Sequence, residues 1–241
     1  RSGKSVMLDL IKEELVESGI DSAQFISINF EDMRYSHLQT ATALHDEIIK
    51  RAEGIEGKAY LFFDEIQEVE GWEKCVNSLR VALDCDIYIT GSNAKLLSGE
   101  LATYIGGRYV EFVIYPFSFA EFLELYHTIA PSDSIQQCFQ KYLLAGGMPY
   151  LANLRYEEEP SRQYLTDLFN SVQLKDIVKR NKIRDIDLLE RIIAYMTANV
   201  GTVFSASSMA KFFKNEQRTV AAETILNYVR YCCDAYLFYQ V

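Results

Sequence analysis

Tyr60-Leu61-Phe62-Phe63-Asp64-Glu65, YLFFDE, is the run on which the fold turns. Its four apolar residues lack the alternation of a half-solvated strand, and two carboxylates close it. A continuous apolar run of strand length, bounded by charge, predicts a parallel strand covered on both faces. Such cover comes from helices packed on either side of a sheet.

The flanking sequence alternates as that reading requires. Lys4 to Glu17 is helical, with apolar Val6, Leu10 and Leu15 and a stop at Gly19. AQFISINFED (23–32) reads as a strand, HLQTATALHDEIIKRAEG (37–54) as a helix and EGWEKCVNSLRVALD (70–84) as another. CDIYITGSN (85–93) is a strand with a polar exit, AKLLSGELATY (94–104) a helix, and GRYVEFVIYPFSF (107–119) one further strand. Strands alternating with helices imply βαβ units around a parallel sheet. After Phe117 the pattern changes. AEFLELY (120–126) and Ser134 to Leu144 are helical around the loop HTIAPSDS (127–134), GGMP (146–149) is a turn, and from Glu157 onward the chain is almost wholly helical. Pro160 suits a first helical turn, and the acids before it complement the positive end of that helix.

Composition bounds the function. The 241 residues are 49% hydrophobic and 24% charged, enough for a sizeable buried core. No run reaches the roughly 18 apolar residues of a membrane span. The five cysteines form no C-x-x-C pair and the three histidines have no ligand spacing, so neither a zinc site nor a disulfide framework is encoded. Buried reduced thiols are expected instead, which places the chain in the cytoplasm. A net charge of −10 gives little nonspecific attraction to nucleic acid, though it leaves room for a local basic face.

Three polar elements mark the strand and helix ends. The chain opens RSGKS, and Gly3, Lys4 and Ser5 match the close of a phosphate-binding loop, G-x-x-x-x-G-K-[ST]. The first glycine of that motif is then expected three residues upstream of Arg1, with its strand before it. Asp64 and Glu65 end a buried strand about sixty residues later, and Thr90, Ser92 and Asn93 end the next one. Such a loop, an acidic strand end and a polar strand end in this order constitute a nucleoside-triphosphate site.

GKS, YLFFDEIQEVEGWEKCVNSLR, YITGSNAKLL, GGRYVEFVIYPFSFAEFLEL and LAGGMPYLA together resemble a prokaryotic branch of the AAA+ ATPases. The resemblance covers nearly the whole chain. It implies a P-loop parallel sheet with helices on both faces, then an all-α region whose C-terminal part is winged-helix-like, often followed by a domain resembling a restriction nuclease. The expected division is a P-loop ATPase core at 1–126, a helical lid at 127–184 and a winged-helix-like domain at 185–241.

ATP and Mg²⁺ are the expected cofactors. Ser2, Gly3, Lys4, Ser5 and Val6 would bind ATP. Gly3 lets the backbone approach the β-phosphate at a positive helix end, and the Lys4 ammonium spans the β- and γ-phosphates. Ser5 and Asp64 would hold the metal, Asp64 through water. Glu65 is the candidate to orient the attacking water, with Asn93 or Ser92 touching the γ-phosphate. Arg108 in GGRY is the candidate arginine finger of a homo-oligomer, and Arg34 a weaker one. The stretch from Val203 to Val241 reads helix, turn, helix, strand, with Met209, Phe212 and Phe213 packed under Val220, Ile225 and Val229. Its outer face, including Arg218, Thr219, Glu223, Thr224 and Asn227, is only mildly polar and offers either DNA contact or packing against a protein or another domain. The expected activity is ATP hydrolysis driving a conformational switch. The rival is a nucleotide-gated module with little turnover that binds DNA or protein.

Overall fold

In the computed structural model, which describes residues 3–91 and 106–240, the run Ala59–Asp64 forms strand β2 and every one of its residues is buried. Strands β1 (Phe25–Asn29) and β3 (Cys85–Ile89) pair with it in parallel, one on each side. The register aligns Phe25 with Tyr60, Ile28 with Phe63, Asn29 with Asp64, and Phe63 with Ile89.

Strand alternation sorts these side chains into two faces. Leu61 and Phe63 join Ile26, Ile28, Ile87 and Ile89 on one face, covered by α2 (Ala41–Ala52) and α3 (Trp72–Ala82). Helix α3 turns Trp72, Cys75, Val76 and Leu79 inward, a helical spacing that places all four on one stripe. The opposite face carries Phe25, Tyr60, Phe62 and Tyr88 beneath α1 (Lys4–Glu17), whose Leu8, Ile11 and Leu15 pack onto them. Phe62 stacks on Tyr88 with centroids 4.9 Å apart, and the Lys12 ammonium lies 5.1 Å from the Phe62 ring. The sheet is therefore covered on both faces, as the unbroken apolar run predicts.

Helices α4 (Phe119–Ile129) and α5 (Ile135–Ala145) follow, each started by a serine capping box: Ser118 with Glu121, and Ser134 with Gln137. Phe119, Phe122, Tyr126, Tyr142 and Tyr156 form an aromatic cluster at their contact. The turn at Gly146–Gly147 runs against Phe117: the Phe117 N–H donates to the Gly147 carbonyl at 2.7 Å, and a Cβ on Gly147 would meet the Phe117 carbonyl oxygen at 2.0 Å.

The chain divides into two compact units, with the change at Arg162 and Gln163 in α6 (Glu158–Ser171). In the second unit a π-helical stretch, Val172–Lys179, continues α6. Helices α7 (Ile186–Ala198), α8 (Ala206–Asn215) and α9 (Ala222–Asp234) follow. Their core joins Leu188, Ile192, Met196, Met209, Phe213 and Ile225, with Val220 and Val229 partly buried against it. Phe212 is half exposed and lies against Tyr195 at 5.1 Å.

Two expected strands are not formed. Tyr109 to Tyr115 has strand composition but no ladder partner among the described residues, and its Val110 and Phe112 are exposed. A strand persists only through hydrogen bonds to a neighbour, so composition alone does not make one. Residues 235–240 likewise form turns and bends after α9, so the strand expected at the end of a winged helix is not formed among the described residues. The helix expected at 94–104 lies outside the described residues.

Candidate functional site

The carboxyl ends of the three strands carry a polar row. Asn29 is in register with Asp64, and one residue past the Phe63–Ile89 pair Thr90 stands beside Asp64. Both flanking side chains donate to the Asp64 carboxylate: Asn29 Nδ2 to Oδ2 at 3.1 Å, and the Thr90 hydroxyl to Oδ1. The Asp64 carbonyl accepts the Phe30 N–H at 3.0 Å. A buried carboxylate with only 6% exposure needs such donors to remain acceptable to its surroundings. Residues 60, 62 and 64 share one face by alternation, so Asp64 ends the row that lies under α1.

Thr90 holds four successive residues of the β2 exit. Its N–H donates to the Phe63 carbonyl at 2.9 Å, its hydroxyl to Asp64, and its carbonyl accepts the Ile66 N–H at 3.2 Å. Its Oγ1 also accepts the Glu65 N–H at 3.2 Å. Glu65 itself is left-handed, with φ 55° and ψ 46°, a conformation that costs a residue with a Cβ about 1–2 kcal/mol. The bonds from Thr90 hold the turn there. Strand alternation therefore ends at Asp64, and the direction of Glu65 is set by this turn rather than by the pleat. The Gln67 amide donates to Glu65 Oε2.

Helix α1 brings the other elements to this end. It runs into Ile20, which packs with Leu15 and Phe25 at the amino end of the sheet. Fourteen residues of helix extend about 21 Å, and a five-residue strand about 17 Å. Lys4 and Ser5 thus start the helix at the carboxyl end of the strands, over the face that Asp64 occupies. Gly3 caps the helix at φ 99° with no side chain bonded to the first turn. The N–H groups of that turn have no intrahelical partner. Val6 and Ser5 are exposed.

Other expected residues stand apart. Ser2, Ser92 and Asn93 lie outside the described residues. Arg108 is exposed in a turn after Gly107 and takes no part in the Asp64–Thr90 network. Arg34 is engaged by Asp32, with Nε at 2.8 Å and Nη2 at 2.6 Å from Oδ2, and this bond raises its pKa and lowers that of Asp32. Arg218, expected on an open nucleic-acid face, is instead bound to Asp185 at 2.6 Å and to Asp187. Asn29 and Gln67 belong to the site and carry no motif of their own. Only the register reveals Asn29, and only the left-handed turn reveals Gln67.

Among the described residues no group of three or more His, Cys, Asp or Glu could hold a metal ion. Asp64 and Ser5 offer hard oxygen donors only, and each Asp64 oxygen retains a lone pair beyond the bond it accepts. That donor set fits Mg²⁺, which takes one or two protein oxygens, phosphate oxygens and water. It does not fit zinc.

Comparison with known proteins places this geometry in context. Residues 1–123 match the family described as an AAA domain, and residues 136–241 a domain of unknown function, DUF8612. An uncharacterized protein of Haemophilus influenzae is 38% identical over 241 residues, covering 100% of this chain and 60% of its own length. The uncharacterized protein MJ1544 of Methanocaldococcus jannaschii is 33% identical over 226 residues, covering 89% of this chain and 49% of its own. The chain thus spans about half to three fifths of these relatives. No solved structure gives a significant match. Among the described residues no helix is long and apolar enough to cross a membrane.

Proposed function

We propose, from the premise that this chain belongs to the AAA domain family, that it binds ATP with Mg²⁺ and hydrolyses it to switch the conformation of a partner. The observation that carries this reading is the row Asn29–Asp64–Thr90 at the strand ends, on the same face as the start of α1. Mg²⁺, when bound, supplies positive charge to the β- and γ-phosphates.

The chain's own groups do the rest. The free N–H groups after Gly3 and the positive end of α1 hold phosphate oxygens, and Lys4 neutralises the charge that spreads over them. Ser5 and Asp64 serve as metal ligands, Asp64 oriented by the donors from Asn29 and Thr90. Glu65 accepts a proton from the attacking water. Ser92 or Asn93 contacts the γ-phosphate, and Arg108 of a neighbouring copy acts as the finger. Positioning and charge stabilisation carry phosphoryl transfer, so these roles suffice for it.

A second reading, a nucleotide-gated binding module with little turnover, is favoured by one observation: the Gln67 amide occupies Glu65 Oε2. Equilibrium binding of ATP and steady-state phosphate release, measured on the full-length protein with Mg²⁺, separate the two. Binding with turnover supports the ATPase, binding without turnover the gated module, and no binding overturns both.

A further inference from the structure

The C-terminal unit carries its charge unlike the remainder. Residues 163–241 hold ten Lys and Arg against eight Asp and Glu, a net +2, while residues 1–162 hold fourteen against twenty-six, a net −12. Within that unit the cations gather at one corner. Lys179 and Arg180 end the π-helical stretch, and Lys182 and Arg184 follow before α7. All four are exposed, and no hydrogen bond or ion pair engages their side chains among the described residues. Residues 177–184 contain no carboxylate.

The corner has a fixed shape. Lys182 is left-handed at φ 52°, the Ile183 N–H donates to the Val178 carbonyl at 3.0 Å, and Asn181 Nδ2 donates to the Ile177 carbonyl at 2.9 Å. Ile177 and Ile183 anchor it in a core with Leu189, Ile193 and Cys232. The acids nearest in sequence are buried or paired with other cations. Asp176 is buried. Arg218 binds Asp185 and Asp187, Arg191 binds Asp187 at 3.0 Å, and these bonds hold both carboxyls below the usual aspartate range. Four exposed positive charges thus lie within six residues of chain, none of them in an ion pair among the described residues.

We propose that Lys179, Arg180, Lys182 and Arg184 form a docking surface for the phosphate backbone of duplex DNA. Two guanidinium forks and two ammonium groups on a rigid corner suit a closely spaced row of phosphates, and such contact is indifferent to base sequence. The surface is separate from the outer face of α9, where Asn227 is bound by Arg230 at 3.1 Å.

Anisotropy of a fluorescent 20-base-pair duplex, titrated with full-length protein between about 50 and 200 mM salt, tests this. Each phosphate contact contributes roughly 0.9 to the slope of log affinity on log salt, so a slope of about −3 to −4 is expected. The variant with Lys179, Arg180, Lys182 and Arg184 all changed to Ala should lose most of that slope and at least about tenfold in affinity at 50 mM salt. Changing Lys211 and Lys214 to Ala should leave both unchanged. Asp187→Asn, which removes a negative charge beside the corner, should tighten binding. No duplex binding by the natural protein at low salt overturns the proposal, as does equal binding by the quadruple variant when circular dichroism shows it folded. Equal competition by polyglutamate, or by vesicles containing phosphatidylserine, overturns the choice of nucleic acid as partner.

Discussion

The Thr90 hydroxyl, at the end of β3, donates to the carboxylate of Asp64 at the end of β2. The same oxygen accepts the Glu65 N–H, so one side chain serves both the candidate metal ligand and the candidate base. Thr90→Val keeps the shape and removes both bonds. It leaves a buried carboxylate oxygen and a backbone N–H short of partners, which costs about 1–3 kcal/mol. Urea unfolding should show that loss, while Thr90→Ser, which keeps the hydroxyl, should retain most of the stability. Equal midpoints for Thr90→Val and the natural protein would show that water replaces the network.

Glu65→Gln preserves size and removes the negative charge that draws a proton from water. Nucleotide affinity should change little and turnover should fall by roughly 10²–10⁴, the usual scale for losing a positioned base. Paired measurements of ATP binding and phosphate release check this. Equal turnover in both proteins would place the base elsewhere.

Lys4→Ala should weaken ATP binding strongly and leave the fold intact, since Lys4 stands at the start of α1 and outside both hydrophobic clusters of the sheet. A fluorescent ATP analogue and a thermal melt, taken on the same protein, read the two effects separately. Unchanged affinity would remove the phosphate-loop assignment.

Gly147→Ala places a methyl 2.0 Å from the Phe117 carbonyl oxygen, a backbone atom that cannot swing aside. The crossing of 117 past 147 must open, and the Phe117 N–H bond to Gly147 goes with it. A loss of about 3 kcal/mol or more is expected, at the upper end of single-residue effects. A midpoint shift under about 1 kcal/mol would mean that this crossing yields easily.

Acid should loosen the C-terminal unit in a defined direction. The hydrogen bonds from Arg218 lower the folded-state pKa of Asp185 and Asp187 below the ordinary 3.8. A lowered folded value means that the stabilisation is complete above the unfolded value and is lost as pH falls through the folded one. The melting temperature of Arg218→Ala should therefore lie below that of the natural protein near neutrality and converge on it below about pH 3.8. Parallel curves from pH 7 to 2 would show that the pairs add nothing measurable.

Much of this protein is written locally in its sequence. The unbroken run Ala59–Asp64 dictates a strand covered on both faces, because six consecutive buried side chains cannot face water on alternate sides. The serines of the capping boxes place the starts of α4 and α5, and the spacing of Trp72, Cys75, Val76 and Leu79 selects the inward stripe of α3. Each of these is a short-range rule of hydrogen bonding or periodicity. Tertiary structure decided the rest. Asn29 and Asp64 are thirty-five residues apart and meet only through strand register. Glu65 departs from alternation because Thr90, twenty-five residues on, holds its N–H. Arg218 reads as an open cation until Asp185 and Asp187, more than thirty residues before it, close on it. Tyr109–Tyr115 has the composition of a strand and, among the described residues, lacks the ladder that would make it one. Pairings across such separations depend on where the chain returns in space, and no local pattern of residue types carries that information.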